Sequence, residues 1–194
     1  ESGPVTGLFH EYEMKLAELI CVLIPSVEMF RMLASGTESV MAAIRAARTY
    51  TGKKKVIKAG GAYHGWSDQM VFGMRIPGIG SLEAHGIPAG CYADTQEVFP
   101  NDIDGPDGLL AMLERNEKEG GTAAVILEPL GPESGTRPVM YDYNRRVRAR
   151  CARFDPGAVA ARGRRGALHR RSRQRPVFRV QPRAQRCLVV LRIH

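Results

Sequence analysis

Ala123-Ala124-Val125-Ile126-Leu127-Glu128-Pro129 is the stretch that decides the fold. Five apolar residues in a row cannot alternate between core and solvent, so the run reads as a short strand covered on both faces, ending at Glu128-Pro129. Working outward, Leu109 to Lys118 has the spacing of a helix and follows the turn Asp104-Gly105-Pro106-Asp107. Val56 to Ala59 reads as another short buried strand, broken by Gly60-Gly61. Before it, Val40, Ala43, Ile44 and Ala47 mark a helix that starts near Ser35-Gly36-Thr37-Glu38, runs to about Tyr50 and closes at Thr51-Gly52.

The pattern extends to both sides. Leu8, Tyr12, Leu16, Leu19, Ile20 and Leu23 give residues 8 to 24 the spacing of an amphipathic helix that Pro25 ends, and Asp142 to Arg153 reads as a third long helix. Residues 73 to 90, with Pro77, Gly78, Gly80, Gly86, Pro88 and Gly90, read as a long ordered loop near a site or interface. Helices alternating with short unbroken apolar strands predict an α/β fold, a mostly parallel sheet with helices on both faces. No internal repeat is visible.

The net charge of +8 suggests a nucleic-acid partner until its location is considered. Residues 1 to 144 hold 12 Lys and Arg against 19 Asp and Glu, a balance of −7. Residues 145 to 194 hold 16 Arg, no Lys and only Asp155, a balance of +15. From Pro156 to His194 there is no Asp, Glu, Lys, Met, Trp or Tyr, and Ala160 to Ala167 uses residues with GC-rich codons. Three readings of this tail compete: an Arg-rich arm for nucleic acid, a solvated disordered tail, and an out-of-frame reading of GC-rich DNA. The last is preferred, because a one-nucleotide shift lets the codons for Arg179 to Arg186 encode an ordinary enzyme-like peptide. Two units are therefore expected, an ordered domain over 1–153 and an irregular tail over 154–194.

Cys21, Cys91, Cys151 and Cys187 are widely separated, with no metal-ligand or disulfide spacing, so no metal site is expected and a reducing compartment is the default. No segment approaches the roughly 20 apolar residues that span a bilayer, and the acidic start with Glu1, Glu11 and Glu13 lacks the layout of a signal peptide. A soluble, cytoplasmic chain with no membrane partner is expected.

Chemistry concentrates at three places. Ser35-Gly36-Thr37-Glu38 opens a helix, where outward N–H groups and the positive end of the helix dipole favour an anion such as phosphate. The plain alternative is an ordinary helix cap. Neither the Walker nor the dinucleotide fingerprint is present, which argues against a nucleotide. Tyr63-His64-Gly65-Trp66 follows the first strand at the mouth of the expected sheet, where ligands of α/β proteins bind. An aromatic ring there could stack on a planar heterocycle and His64 could exchange protons, or both could be packing groups. Glu128, at a strand end, could hydrogen-bond a ligand or cap the next turn.

Taken together, Ser35 to Val40, Ala43 to Lys53, Ile57-Lys58, Tyr63 to Asp68 and Val125 to Pro129 closely resemble the class III aminotransferases, among them the glutamate-1-semialdehyde 2,1-aminomutase-like members. Order and spacing agree over roughly residues 8 to 153. The resemblance implies part of the large domain of a fold-type I enzyme dependent on pyridoxal 5'-phosphate. It implies a mostly parallel seven-stranded sheet, active sites at a homodimer interface, and amino-group exchange between an amino acid or amine and a carbonyl compound. Carried over by position, Ser35, Gly36 and Thr37 would bind the cofactor phosphate, Tyr63 would stack on the pyridine ring, His64 would lie beside it, and Glu128 would lie near cofactor and substrate.

Several parts of the family pattern have no counterpart, among them the N-terminal segment, the small C-terminal domain and the partner-subunit phosphate contact. The Asp that partners the pyridinium nitrogen and the lysine that forms the Schiff base have no counterpart, since no Lys follows Phe154 and Lys53, Lys54, Lys55, Lys58 and Lys118 lie at unrelated positions. No catalytic residue is assigned, and the chain is expected to be a truncated form with no turnover of its own and weak cofactor affinity. Half a sheet would also leave an unpaired edge. The rival expectation is a noncatalytic aminotransferase-like core whose Arg-rich tail binds nucleic acid; a nucleic-acid partner is otherwise not expected.

Overall fold

The computed structural model describes residues 10–24, 27, 30–73, 85–132, 137–154 and the backbone of 188–191. In chain order these form α1 (Glu11–Leu23), α2 (Gly36–Thr51), β1 (Lys55–Ala59), α3 (Asp68–Val71), α4 (Ala89–Tyr92), β2 (Thr95–Val98), α5 (Leu109–Glu117), β3 (Thr122–Leu127), α6 (Tyr143–Cys151) and β4 (Leu188–Leu191). The strands make one sheet in the order β2-β1-β3-β4, with every pairing parallel.

The two apolar runs become neighbours, Val56 opposite Ala124 and Ile57 opposite Val125. Their residues divide by the two-residue period of a strand. Val56, Ala124 and Ile126 pack with Val40, Ile44 and Ala47 of α2 and with Met70. Ile57, Ala59, Val125 and Leu127 pack on the other face with Leu109, Met112 and Leu113 of α5 and with Tyr143, Val147 and Cys151 of α6. All six residues of β3 are buried, which is why its sequence shows no alternation. A fully buried Ile or Leu stabilises such a core by about 1.5–3 kcal/mol over leaving it exposed.

α2 behaves as its sequence predicts. Ser35 caps its start, and Gly52 ends it in the left-handed conformation at φ 69°, which lets the Gly52 N–H close on Arg48 O. α1 forms as a helix, but none of its residues is buried among the described residues, and Tyr12, Met14, Leu19, Val22 and Leu23 are exposed. Leu8 and Pro25, which bound the predicted helix, lie outside the described residues. So does most of the predicted loop 73–90, apart from Gly73 and the segment from His85 that carries α4, where the Phe72 and Tyr92 rings stack at 4.4 Å.

Two outcomes differ from expectation. β2 was not legible: Thr95-Gln96-Glu97-Val98 is half polar, and as an edge strand it buries only its two ends. Within the tail expected to be irregular, Leu188–Leu191 is a strand beside β3, Ala124 facing Leu188 and Leu127 facing Leu191. An unbroken Leu-Val-Val-Leu run suits a parallel strand, and it covers the edge of β3 that was expected to be unpaired. The remainder of 155–194 lies outside the described residues.

Candidate functional site

The topology singles out one end of the sheet. From β1 the chain crosses to β2 on one side, and from β3 to β4 on the other. Adjacent parallel strands whose connections leave in opposite directions open a crevice at their carboxyl ends, the usual ligand position in such sheets. Here that crevice lies between the Gly60–Trp66 segment after β1 and the Glu128–Gly131 turn after β3.

The start of α2 reaches the same place. Trp66 N–H donates to Thr37 Oγ1 at 3.1 Å. Gly65 lies against Thr37 with φ 102°, and a Cβ there would fall 2.8 Å from both Cα and Oγ1 of Thr37. Only glycine fits, because the close approach and the positive φ both exclude a side chain.

Ser35 is occupied locally: its Oγ accepts from Glu38 N–H at 3.2 Å and donates to Glu38 Oε2 at 3.0 Å. The helix cap left open as an alternative is thus present. As the first two residues of the helix, Gly36 and Thr37 have amide N–H groups with no intrahelical acceptor, at the positive end of a 16-residue helix. Ser35 and Gly36 are exposed and Thr37 is half-buried. The phosphate-suited feature that remains is therefore main-chain, beside a hydroxyl already in use at Thr37.

On the other side of the crevice, Tyr63 N–H donates to Glu128 Oε1 at 2.8 Å. Glu128 is 4% exposed and His64 is fully buried, whereas Tyr63 is 41% and Trp66 71% exposed. Two aromatic side chains thus stand at the surface of a loop whose backbone is tied down. The Glu128 turn is held as well, by Gly131 N–H on Glu128 O at 3.0 Å and Asn144 Nδ2 on Pro129 O at 2.8 Å. Of the six residues singled out in the sequence, Thr37 and Glu128 are joined through the Tyr63–Trp66 loop by these contacts, and Ser35, Gly36 and His64 are their neighbours along the chain.

Three contributors were not singled out. Gly65 is one, and a glycine inside an aromatic motif was its only signal. Asn144 had no signal, because its role is a contact 15 residues away. Lys58 is the third: it is fully buried on β1, and its Nζ donates to Met70 O at 2.8 Å and Phe72 O at 2.9 Å, while Gly61 N–H closes on Gly73 O at 3.1 Å. These bonds fold the segment after β1 back over its own strand end.

The other lysines are elsewhere. Lys53 pairs with Glu117 at 3.1 Å and Lys55 with Glu119, both where β1 begins and so at the opposite end of the strand from the crevice. Among the described residues there is no group of His, Cys, Asp and Glu that could hold a metal ion, and no helix long and apolar enough to cross a membrane.

Comparison with known proteins gives a consistent result. The family model for class III aminotransferases matches residues 3–156. Glutamate-1-semialdehyde 2,1-aminomutase 1 of Lachnoclostridium phytofermentans is 44% identical over 137 residues, which cover 70% of this chain and 31% of that protein. Among solved structures, an omega-transaminase from Sphaerobacter thermophilus is 32% identical with a TM-score of 0.66, covering 78% of this chain and 35% of that one. A transaminase with PLP bound is 31% identical with the same TM-score and the same coverage. The chain spans about a third of the length of the curated relatives it matches, 31–34% for those most similar.

Proposed function

The chain belongs to the class III aminotransferases, and from that premise we propose that its crevice is the phosphate and ring portion of a pyridoxal 5'-phosphate site. The whole protein would exchange amino and carbonyl groups on an amino acid or amine, as a transaminase or an aminomutase. The observation that carries this reading is the meeting of the α2 start with the Tyr63 loop, through Thr37 against Gly65 and Trp66. A helix-start anion cradle and a half-exposed aromatic ring at one strand-end crevice suit a molecule with a phosphate and a planar ring.

When bound, the cofactor supplies an electron sink for the substrate's α-carbon. The residues of this chain bind and orient. The N–H groups of Gly36 and Thr37 would hold the phosphate, while Ser35, whose hydroxyl is taken up by Glu38, caps the helix that presents them. Tyr63 covers the ring, and buried His64 backs the loop that presents it. Glu128 stands at the β3 end of the same crevice. None of the six lysines contributes a tether: Lys53, Lys54 and Lys55 lie where β1 begins, Lys118 ends α5 ahead of β3, Lys15 pairs with Glu11 on α1, and Lys58 is engaged by two carbonyls. We therefore assign this chain cofactor affinity without turnover of its own. A homodimer, as in the family, and a cytoplasmic setting complete the reading.

Titration of the full chain with pyridoxal 5'-phosphate, followed by absorbance and by emission of Trp66, the single tryptophan, tests this. Expected are weak saturable binding, competition by inorganic phosphate, and no borohydride-stable adduct. No saturable binding would overturn the cofactor site. A reducible adduct with measurable transamination would overturn the assignment of no turnover.

A further inference from the structure

The loop that carries Tyr63, His64, Gly65 and Trp66 is held at its crown by side chains from two segments far apart in sequence. On the β3 side, Glu128 Oε1 takes the Tyr63 N–H, bridging 65 residues. On the α2 side, Thr37 Oγ1 takes the Trp66 N–H, bridging 29 residues. Both acceptors bind main chain, leaving the Tyr63 and Trp66 side chains exposed. The Glu128 residue is 4% exposed, its carbonyl accepts from Gly131 N–H, and the carbonyl of the next residue, Pro129, accepts from Asn144 Nδ2. A carboxylate so enclosed is a poor choice for a group that must reach a ligand and a good one for a fixed hydrogen-bond acceptor.

We propose that Glu128 is a positioning residue, whose carboxylate fixes the height and angle of the Tyr63 ring by holding its amide, with Thr37 as the matching anchor at Trp66. What it positions for rests on the cofactor reading given above; the anchoring itself does not. A buried acceptor with this task is defined by reach, not by charge. Glutamine keeps the reach and an oxygen acceptor while losing the charge. Aspartate keeps the charge and withdraws the oxygen by one methylene.

The test uses that difference. In the full chain without cofactor, amide hydrogen exchange is measured over residues 60–66 for wild type, Glu128→Gln and Glu128→Asp, together with acrylamide quenching of Trp66. Expected is near-wild-type exchange for Glu128→Gln. Exchange at the Tyr63 amide should be roughly tenfold faster for Glu128→Asp, the effect of losing a hydrogen bond of ordinary strength. The reverse order, Asp protected and Gln fast, would show that charge matters and overturn the proposal. If Glu128→Asp does not fold, Glu128→Gln alone decides, and fast exchange in it is fatal. A parallel pair, Thr37→Ser and Thr37→Val, should show protection of the Trp66 amide retained and lost. If the exchange order holds while pyridoxal 5'-phosphate fails to bind any variant, the cofactor reading falls and the anchoring role stands.

Discussion

Gly65 and Thr37 touch so closely that one added methyl would sit 2.8 Å from two Thr37 atoms, Cα and Oγ1. This contact joins the start of α2 to the loop after β1, and through that loop to β3. The helix start and the aromatic loop are therefore packed directly against each other.

Gly65→Ala is expected to force them apart. The clash is with backbone as well as side chain, and φ 102° is unfavourable for alanine, so the loss should be about 2 kcal/mol or more. Urea unfolding gives the energy, and a shifted Trp66 emission maximum in the folded baseline reports the displaced loop. Wild-type stability and emission would show that the contact does not constrain the loop.

Tyr143 should give the protein an alkaline limit. Burial, with smaller contributions from Cys151 and Asp102, raises its phenol from 10.0 to about 12. Among the described residues its hydroxyl has no hydrogen-bond partner. Since the folded value is above the unfolded one, the stability linked to neutral Tyr143 is fully present below pH 10 and is lost as pH rises toward 12. In a 295 nm titration of the six tyrosines, Tyr143→Phe should remove the latest-ionising component.

Asp104 should act at the opposite end of the pH scale. Hydrogen bonds from Arg150 and Arg146, Nε and Nη2 both at 2.8 Å, hold its carboxyl below the ordinary 3.8 and tie α6 to the loop before α5. A lowered carboxylate stabilises above its unfolded value and ceases to as pH falls through the folded one. Asp104→Asn should lower Tm at pH 7, less so in high salt, and the gap to wild type should close as pH falls well below 3.8. An undiminished gap at that pH would exclude the ionic cause.

Ile44 and Leu19 should respond in opposite ways to truncation. Ile44 is fully buried between α2 and the sheet, so Ile44→Ala should cost about 2–5 kcal/mol. Leu19 is 52% exposed on α1, and Leu19→Ala should stay within about 0.5 kcal/mol. Denaturant midpoints compare the two directly; a large loss at Leu19 would mean that α1 packs against something in solution.

The sequence by itself determined the elements whose apolar residues repeat with a clear period. β1 and β3 read as buried strands because both faces are covered, and α2, α5 and α6 because one stripe is. It also determined which residue types gather at the site, since Ser35 to Thr37, Tyr63-His64 and Glu128 each carry local chemistry. Tertiary structure alone decided what depends on distance across the chain. β2 forms because β1 offers it an edge, although its own residues are half polar. Thr37 accepts from Trp66, Glu128 accepts from Tyr63, and Asn144 donates to the Pro129 carbonyl because the fold returns distant segments to the same end of the sheet. A hydrogen bond between residues 65 apart leaves no pattern in either neighbourhood, so it becomes visible only when the sheet has brought them together.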